Sequence, residues 1–94
     1  MTRDPVSGRV WVGFETIQRI CRYARDFARI EGCVSPPALQ AWPKTGSIEA
    51  MVRFGDGRFL ALSEMGPGAK GGHDALLWQG DPVDPRTPPP VHLS

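Results

Sequence analysis

The stretch Gly8-Arg9-Val10-Trp11-Val12-Gly13-Phe14-Glu15 returns 49 positions later as Gly57-Arg58-Phe59-Leu60-Ala61-Leu62-Ser63-Glu64. Each copy leaves a Gly-Arg turn, runs through apolar residues for the length of a strand and ends on glutamate. A second echo aligns Ile20-Cys21-Arg22-Tyr23 with Ala75-Leu76-Leu77-Trp78 at an offset of 55, and the Gly-rich stretch Gly66 to Gly72 absorbs the difference. A β-rich unit that recurs after about 50 residues points to propeller blades, in which one four-stranded sheet is one repeat. Two blades cannot close a ring. The expected fold is therefore all-β, about two antiparallel blades of an incomplete β-propeller, and the chain reads as a piece of something larger.

Along the chain, Asp4-Pro5-Val6-Ser7-Gly8 is a turn feeding a strand over Arg9 to Glu15, with Val10, Val12 and Phe14 on one face. Arg19 to Ala24 and Ala28 to Cys33 are further strand candidates. A helix over Thr16 to Ile30 competes, because Ile17, Ile20, Ala24 and Phe27 have tolerable helical spacing, but the repeat pairs this segment with a Gly-flanked strand. Ser35 to Gly46 reads as a loop between blades. Ser47 to Phe54 and Arg58 to Glu64 make a hairpin, and Asp74 to Gln79 another strand. The blades span roughly residues 4–34 and 47–80. Beyond Asp81 the prolines predict an extended, unpaired tail over 81–94. Trp11, Trp42, Trp78, Phe14 and Phe59 are expected to pack between neighbouring sheets, with an aromatic ligand platform as the alternative.

Ten prolines and eleven glycines in 94 residues argue against a helical bundle. A net charge of +1 with scattered basic residues gives no electrostatic footprint for nucleic acid or an anionic membrane. No apolar run is long enough to span a bilayer as a helix, and Met1-Thr2-Arg3-Asp4-Pro5 enters a turn rather than a signal peptide. Cys21 and Cys33 fall on adjacent strands. A turn at Arg25-Asp26-Phe27 pairs Cys21 with Glu31 and Cys33 with Arg19, so two buried free thiols are expected, with a disulfide as the alternative.

Chemistry first enters at the hairpin. Asp56-Gly57 suits a two-residue type I′ turn, which pairs residues whose numbers total 113, so that Phe54 faces Phe59 and Glu49 faces Glu64. Like charges directly across an antiparallel pair are unfavourable without compensation. Glu15 ends the equivalent strand of the preceding blade and belongs to the same rim. Three carboxylates at a channel mouth suit Ca²⁺, which takes oxygen ligands. They equally suit general acid–base work, if mutual repulsion lifts one pKa. The third reading is that Glu15, Glu49 and Glu64 splay into water or pair with Arg9, Arg53 or Arg58.

Other motifs carry less. His73-Asp74 is read as loop surface rather than a metal or catalytic dyad. Gly66 to Gly72 lacks the Gly-Lys-Ser/Thr ending of a phosphate loop, and Ser63 lacks a nucleophile elbow. The PxxP spacings at Pro82, Pro85 and Pro88 read as a spacer.

The run from Ser47 to Glu64 resembles the phytase-like family described as "esterase-like activity of phytase", whose members carry a similar Ile-Glu-Ala strand, Asp-Gly-Arg turn and strand ending in Ser-Glu. Asp74 to Pro82 is similar to the family's next strand, and Gly8 to Glu15 to its preceding blade. The resemblance implies a β-propeller and a bacterial, exported (periplasmic or secreted) parent acting on phosphate esters or esters. It transfers no catalytic set. Glu49 and Glu64 match the motif, without a role carried over, and stand as catalytic candidates; with Glu15 they are the metal candidates, Ca²⁺ the favoured ion. The expected parent is a metal-assisted phosphoester hydrolase, with a non-catalytic binding scaffold as the alternative. The chain by itself is expected to be inactive and to self-associate through open blade edges.

Overall fold

A computed structural model describes residues 1–14, 18–42, 48, 50–63 and 74–93. Strands Thr2–Arg3 (β1), Val10–Phe14 (β2), Arg19–Tyr23 (β3) and Ile30–Val34 (β4) form one four-stranded antiparallel sheet in chain order. Ala50–Arg53 (β5), Phe59–Ser63 (β6), Asp74–Trp78 (β7) and Val91–Leu93 (β8) repeat the same meander in a second sheet. The two sheets have the form of two propeller blades. Their strands start where the sequence echo places them: β2 at Val10 and β6 at Phe59, offset 49, then β3 at Arg19 and β7 at Asp74, offset 55.

The sheets pack face to face over a cluster of Trp11, Ile20, Ile48, Met51, Phe59, Ala61, Leu76 and Trp78. Phe59 sits at its centre, with its ring 5.8 Å from Trp11 and 6.0 Å, edge-on, from Trp78. Tilted and edge-on rings match their quadrupoles and add to the gain from burial. The segment between the blades is more than a loop, since Pro37–Gln40 (α1) forms one helical turn with proline at its start, where no backbone N–H is needed. That turn delivers Leu39 and Trp42 into the same core. Of the five aromatics expected between the sheets, Trp11, Trp42, Trp78 and Phe59 are there. Phe14 is not: it pairs with Arg19 and, by strand alternation, shares the opposite face with Val10 and Val12.

Two registers differ from expectation. The β5–β6 pairs total 112, from Arg53↔Phe59 to Ala50↔Leu62, not 113. The turn has three residues, Gly55-Asp56-Gly57, closed by the Phe54 N–H on the Arg58 carbonyl at 2.9 Å, with Gly57 at φ +96°. A left-handed glycine after a type I turn closes a three-residue hairpin, and the extra residue moves every pair by one. The expected opposition of Glu49 and Glu64 lies outside the described residues, as do Glu15, Gly66 to Gly72 and His73.

The β3–β4 hairpin is displaced further, and this corrects the expectation of free thiols. Cys21 lies directly opposite Cys33 and the two form a disulfide. The connection is one residue longer than expected, closed by the Ala24 N–H on the Arg29 carbonyl, with Asp26 and Phe27 both at positive φ. A bulge then adds a second step, since Arg22 pairs with Gly32 but Tyr23 pairs with Ile30, leaving Glu31 as the extra residue. Two one-residue shifts bring the sulfurs together.

The proline-rich end is also corrected. Asp81 to Thr87 folds into turns, with Asp84 N–H on the Asp81 carbonyl and Thr87 N–H on the Asp84 carbonyl. Val91–Leu93 then pairs with β7 and completes the second sheet, so this stretch is not an unpaired tail. The five prolines cover the turn region and leave β8 itself free to donate its N–H groups.

Candidate functional site

A polar cleft of about 260 Å³ opens where the two sheets meet, at the β1–β2 and β5–β6 turns. The first sheet contributes Asp4, Arg9 and Trp11; the second contributes Arg53, Asp56 and Phe59; Gln79-Gly80-Asp81, just beyond β7, closes it. It lies at the starts of β2 and β6, whereas Glu15 and Glu64 follow the ends of those strands in sequence.

Asp81 is the hinge pin of the arrangement. Its Oδ1 accepts the Trp11 indole N–H at 2.8 Å and the Val83 backbone N–H at 2.9 Å, while Oδ2 accepts from the Arg22 guanidinium. Arg22 projects from β3 beside the bulge, one residue before the strand's end, and its Nε donates to Glu31 Oε1 at 3.0 Å. Arg9 Nε reaches the same oxygen at 3.0 Å, and Arg29 comes within 3.9 Å of the other. The bulge is what presents Glu31 here, because an extra residue re-aims its side chain. Burial disfavours the Arg22 charge, but the Asp81 hydrogen bond and the charges of Asp81 and Glu31 outweigh it, so its pKa rises above the usual arginine value. One chain of contacts, Arg9–Glu31–Arg22–Asp81–Trp11, thus ties the first sheet to the residues leaving the second.

The other cleft carboxylates are also committed. Asp4 accepts from the Val6 N–H and the Ser7 hydroxyl, each at 2.9 Å, and faces Arg53 at 3.7 Å across the sheet junction. Asp56 takes the Arg58 N–H at 3.1 Å and its Nε at 2.8 Å. Backbone N–H donation first, and then side-chain bonds and nearby arginine charge, hold both below the ordinary aspartate range. A carboxyl that gives or takes a proton at neutral pH needs the opposite shift. These aspartates act as fixed acceptors, not as acid–base groups.

What the cleft leaves available is cationic. Arg53 meets Asp4 only loosely, and Arg9 is half-exposed with one guanidinium edge on Glu31. Guanidinium groups from two sheets opening on one cleft can hold a planar or tetrahedral oxyanion. Among the described residues no three His, Cys, Asp or Glu side chains cluster to hold a metal ion. No described helix is long and apolar enough to cross a membrane.

Asp81, Arg22 and Glu31 were not among the sequence candidates, yet one signal pointed to Arg22. The offset of 55 matches it with Leu77, so a charge stands where the sibling repeat has an aliphatic residue.

The family model described as Phytase-like, esterase-like activity of phytase, matches residues 1–92. No curated protein matches the chain, and neither does any solved structure.

Proposed function

The chain belongs to the phytase-like family, and from that premise we propose that it is a two-blade section of a phosphate-ester hydrolase that holds substrate rather than cleaving it. The observation that supports this reading is the meeting of Arg9 and Arg53, from different sheets, in one cleft. A phosphate monoester carries charge that two guanidinium groups match in geometry and sign. Bond cleavage needs an acid, a base or a metal ion, and the cleft aspartates Asp4 and Asp56, held below the ordinary range, are poor candidates for acid–base work. Under this reading any cation-assisted step falls to groups such as Glu15, Glu49 and Glu64, with Ca²⁺ the ion their oxygens suit. The Cys21–Cys33 disulfide favours an oxidising compartment, in line with an exported protein.

A second reading, a non-catalytic binding scaffold, is favoured by the same committed aspartates. Both readings predict that the 94-residue chain releases no phosphate from p-nitrophenyl phosphate and no phenol from p-nitrophenyl butyrate, with or without calcium. Turnover by the purified folded chain, abolished by Glu49→Gln, would overturn them together. Under the first reading, inorganic phosphate shifts the Arg9 and Arg53 Nε–H resonances and Arg53→Gln removes the effect. Unmoved resonances at millimolar phosphate discard it and leave the scaffold.

A further inference from the structure

The charges around the cleft between the sheets decide which oxyanion it can take. Its lining carries two formal positive charges, Arg9 and Arg53, and three negative ones, Asp4, Asp56 and Asp81. Behind the lining, Asp81 is met by Arg22 and Asp56 by Arg58. Arg9 is in turn met by Glu31 at 3.0 Å, and Arg53 by Asp4 at 3.7 Å. Each arginine that opens on the cleft thus already faces a carboxylate, and no surplus positive charge remains for a doubly charged ligand. A dianion on Arg9 and Arg53 would also stand beside the like charge of Asp4. Such repulsion is how a site rejects the wrong form of a ligand.

Asp4 is the group that turns this repulsion into a bond once the ligand carries a proton. A carboxylate has about four lone-pair sites. The Val6 N–H occupies one on Oδ1 and the Ser7 hydroxyl one on Oδ2, each at 2.9 Å. Arg53 stands 3.7 Å from Oδ2, too far for a hydrogen bond and near enough for one small oxyanion to touch both groups. The Val6 N–H first, and then the Ser7 hydroxyl, hold Asp4 below the ordinary aspartate range, so it stays an acceptor in mild acid. The other two aspartates are more fully spent. Asp56 uses both oxygens on Arg58, and Asp81 serves Trp11, Val83 and Arg22.

We propose that the cleft selects the singly protonated form of a phosphate monoester, with its charged oxygens on Arg9 and Arg53 and its P–OH donated to Asp4. An O–H bond to a carboxylate is short and strong, whereas the dianion has no proton to offer. This inference rests on the phosphate reading of the cleft and adds the protonation state of the ligand. Among the described residues no histidine faces the cleft, since His92 lines a separate cavity beside Trp42 and Leu76. The proton that titrates near neutrality is the ligand's own, with a second pKa of about 6.

The test titrates the oxidised full chain with methyl phosphate and, separately, with sulfate, which is doubly charged and carries no proton in this range. Binding is followed on the guanidinium carbons of Arg9 and Arg53, which do not exchange with water. The apparent affinity for methyl phosphate is expected to fall about fifty-fold between pH 6 and 8, because the monoanion drops from roughly half to roughly 1% of the ligand. Sulfate is expected to leave both carbons unmoved. Asp4→Asn keeps an acceptor for the Val6 N–H, so the turn survives, and circular dichroism confirms the fold. That variant loses the like charge, and its affinity at the higher pH should equal or exceed that at the lower. A wild-type affinity that is flat or rises with pH overturns the inference and leaves the phosphate reading standing. So does sulfate binding as tightly as methyl phosphate at the lower pH, or an Asp4→Asn variant that keeps the wild-type fall. Guanidinium carbons that ignore millimolar methyl phosphate at every pH overturn the phosphate reading itself, and this inference with it.

Discussion

Asp81→Ala removes the acceptor that joins the sheets, and its cost can be worked out from what is left behind. The Trp11 indole N–H, on a buried side chain, loses its 2.8 Å partner, and an unsatisfied buried donor costs about 1–3 kcal/mol. The Val83 N–H loses a 2.9 Å bond at a half-buried site, worth about 1 kcal/mol less any solvent rescue. Arg22 keeps Glu31, so the lost ion pair falls well short of the about 3–5 kcal/mol of a fully stranded charge, and about 1 kcal/mol is reasonable. The sum is roughly 3 kcal/mol. Asp81→Asn keeps an oxygen for Trp11 and Val83 and loses only the charge, so about 1 kcal/mol is expected. Urea unfolding followed by tryptophan fluorescence reads both. At a slope of about 1 kcal/mol/M for a small domain, the midpoints fall by roughly 3 M and 1 M. Arg22→Leu, copying the aliphatic residue of the sibling repeat, should be non-additive with Asp81→Ala by at least about 1 kcal/mol. If alanine and asparagine variants unfold together, within about 0.5 kcal/mol of wild type, the reasoning about this lock is wrong.

Replacing both Cys21 and Cys33 by serine opens a loop with a sequence separation of 12, for which chain entropy gives about 3 kcal/mol; equal midpoints for oxidised and double-serine proteins would refute it. Gly57→Ala forces a side chain to φ +96° in the hairpin and should cost about 1 kcal/mol or more by urea unfolding, whereas an unchanged midpoint would contradict the three-residue turn. Gly13→Val drives a Cβ to within 2.9 Å of Ile48, between the sheets, and about 2 kcal/mol of overpacking is expected, visible as lost Trp11 near-UV dichroism. Asp84 is held at about 2, against an ordinary 3.8, first by side-chain and then by backbone hydrogen bonds from Arg86. A depressed folded pKa contributes stability above the ordinary value and loses it as pH falls towards the folded one, here between about 3.8 and about 2. A carboxyl-carbon NMR titration should place its midpoint near 2, and Arg86→Gln should return it towards 3.8.

How much of this was legible in the sequence depends on the range of the interaction. The positions of the repeated strands were, since the reading that began them at Arg9 and Arg58 lies one residue from the observed starts at Val10 and Phe59. The buried aromatics followed from the same pattern. Registers were not, since each hangs on a single residue of turn chemistry: the left-handed Gly57 in one hairpin, the longer Arg25–Ala28 connection and the Glu31 bulge in the other. One residue at Gly57 moved every described pair of that hairpin by one, and two on the other side made the disulfide. The lock was the least accessible, because Arg22 and Asp81 stand 59 positions apart and only packed sheets bring them together. Pro82 to Pro90 read as extended because proline cannot donate, but a strand can still follow the last proline, and β8 does.

The most direct test of the central claim, that the back of the first blade packs on the front of the second, is an aromatic NOESY spectrum of the oxidised chain. Phe59 ring protons should show cross-peaks to both Trp11 and Trp78, and the Gly13 α-protons to the Ile48 methyls. Cross-peaks from Phe59 to Trp78 alone, with Trp11 and Gly13 showing contacts only within their own sheet, would mean that two separate sheets exist and that the blade pair does not.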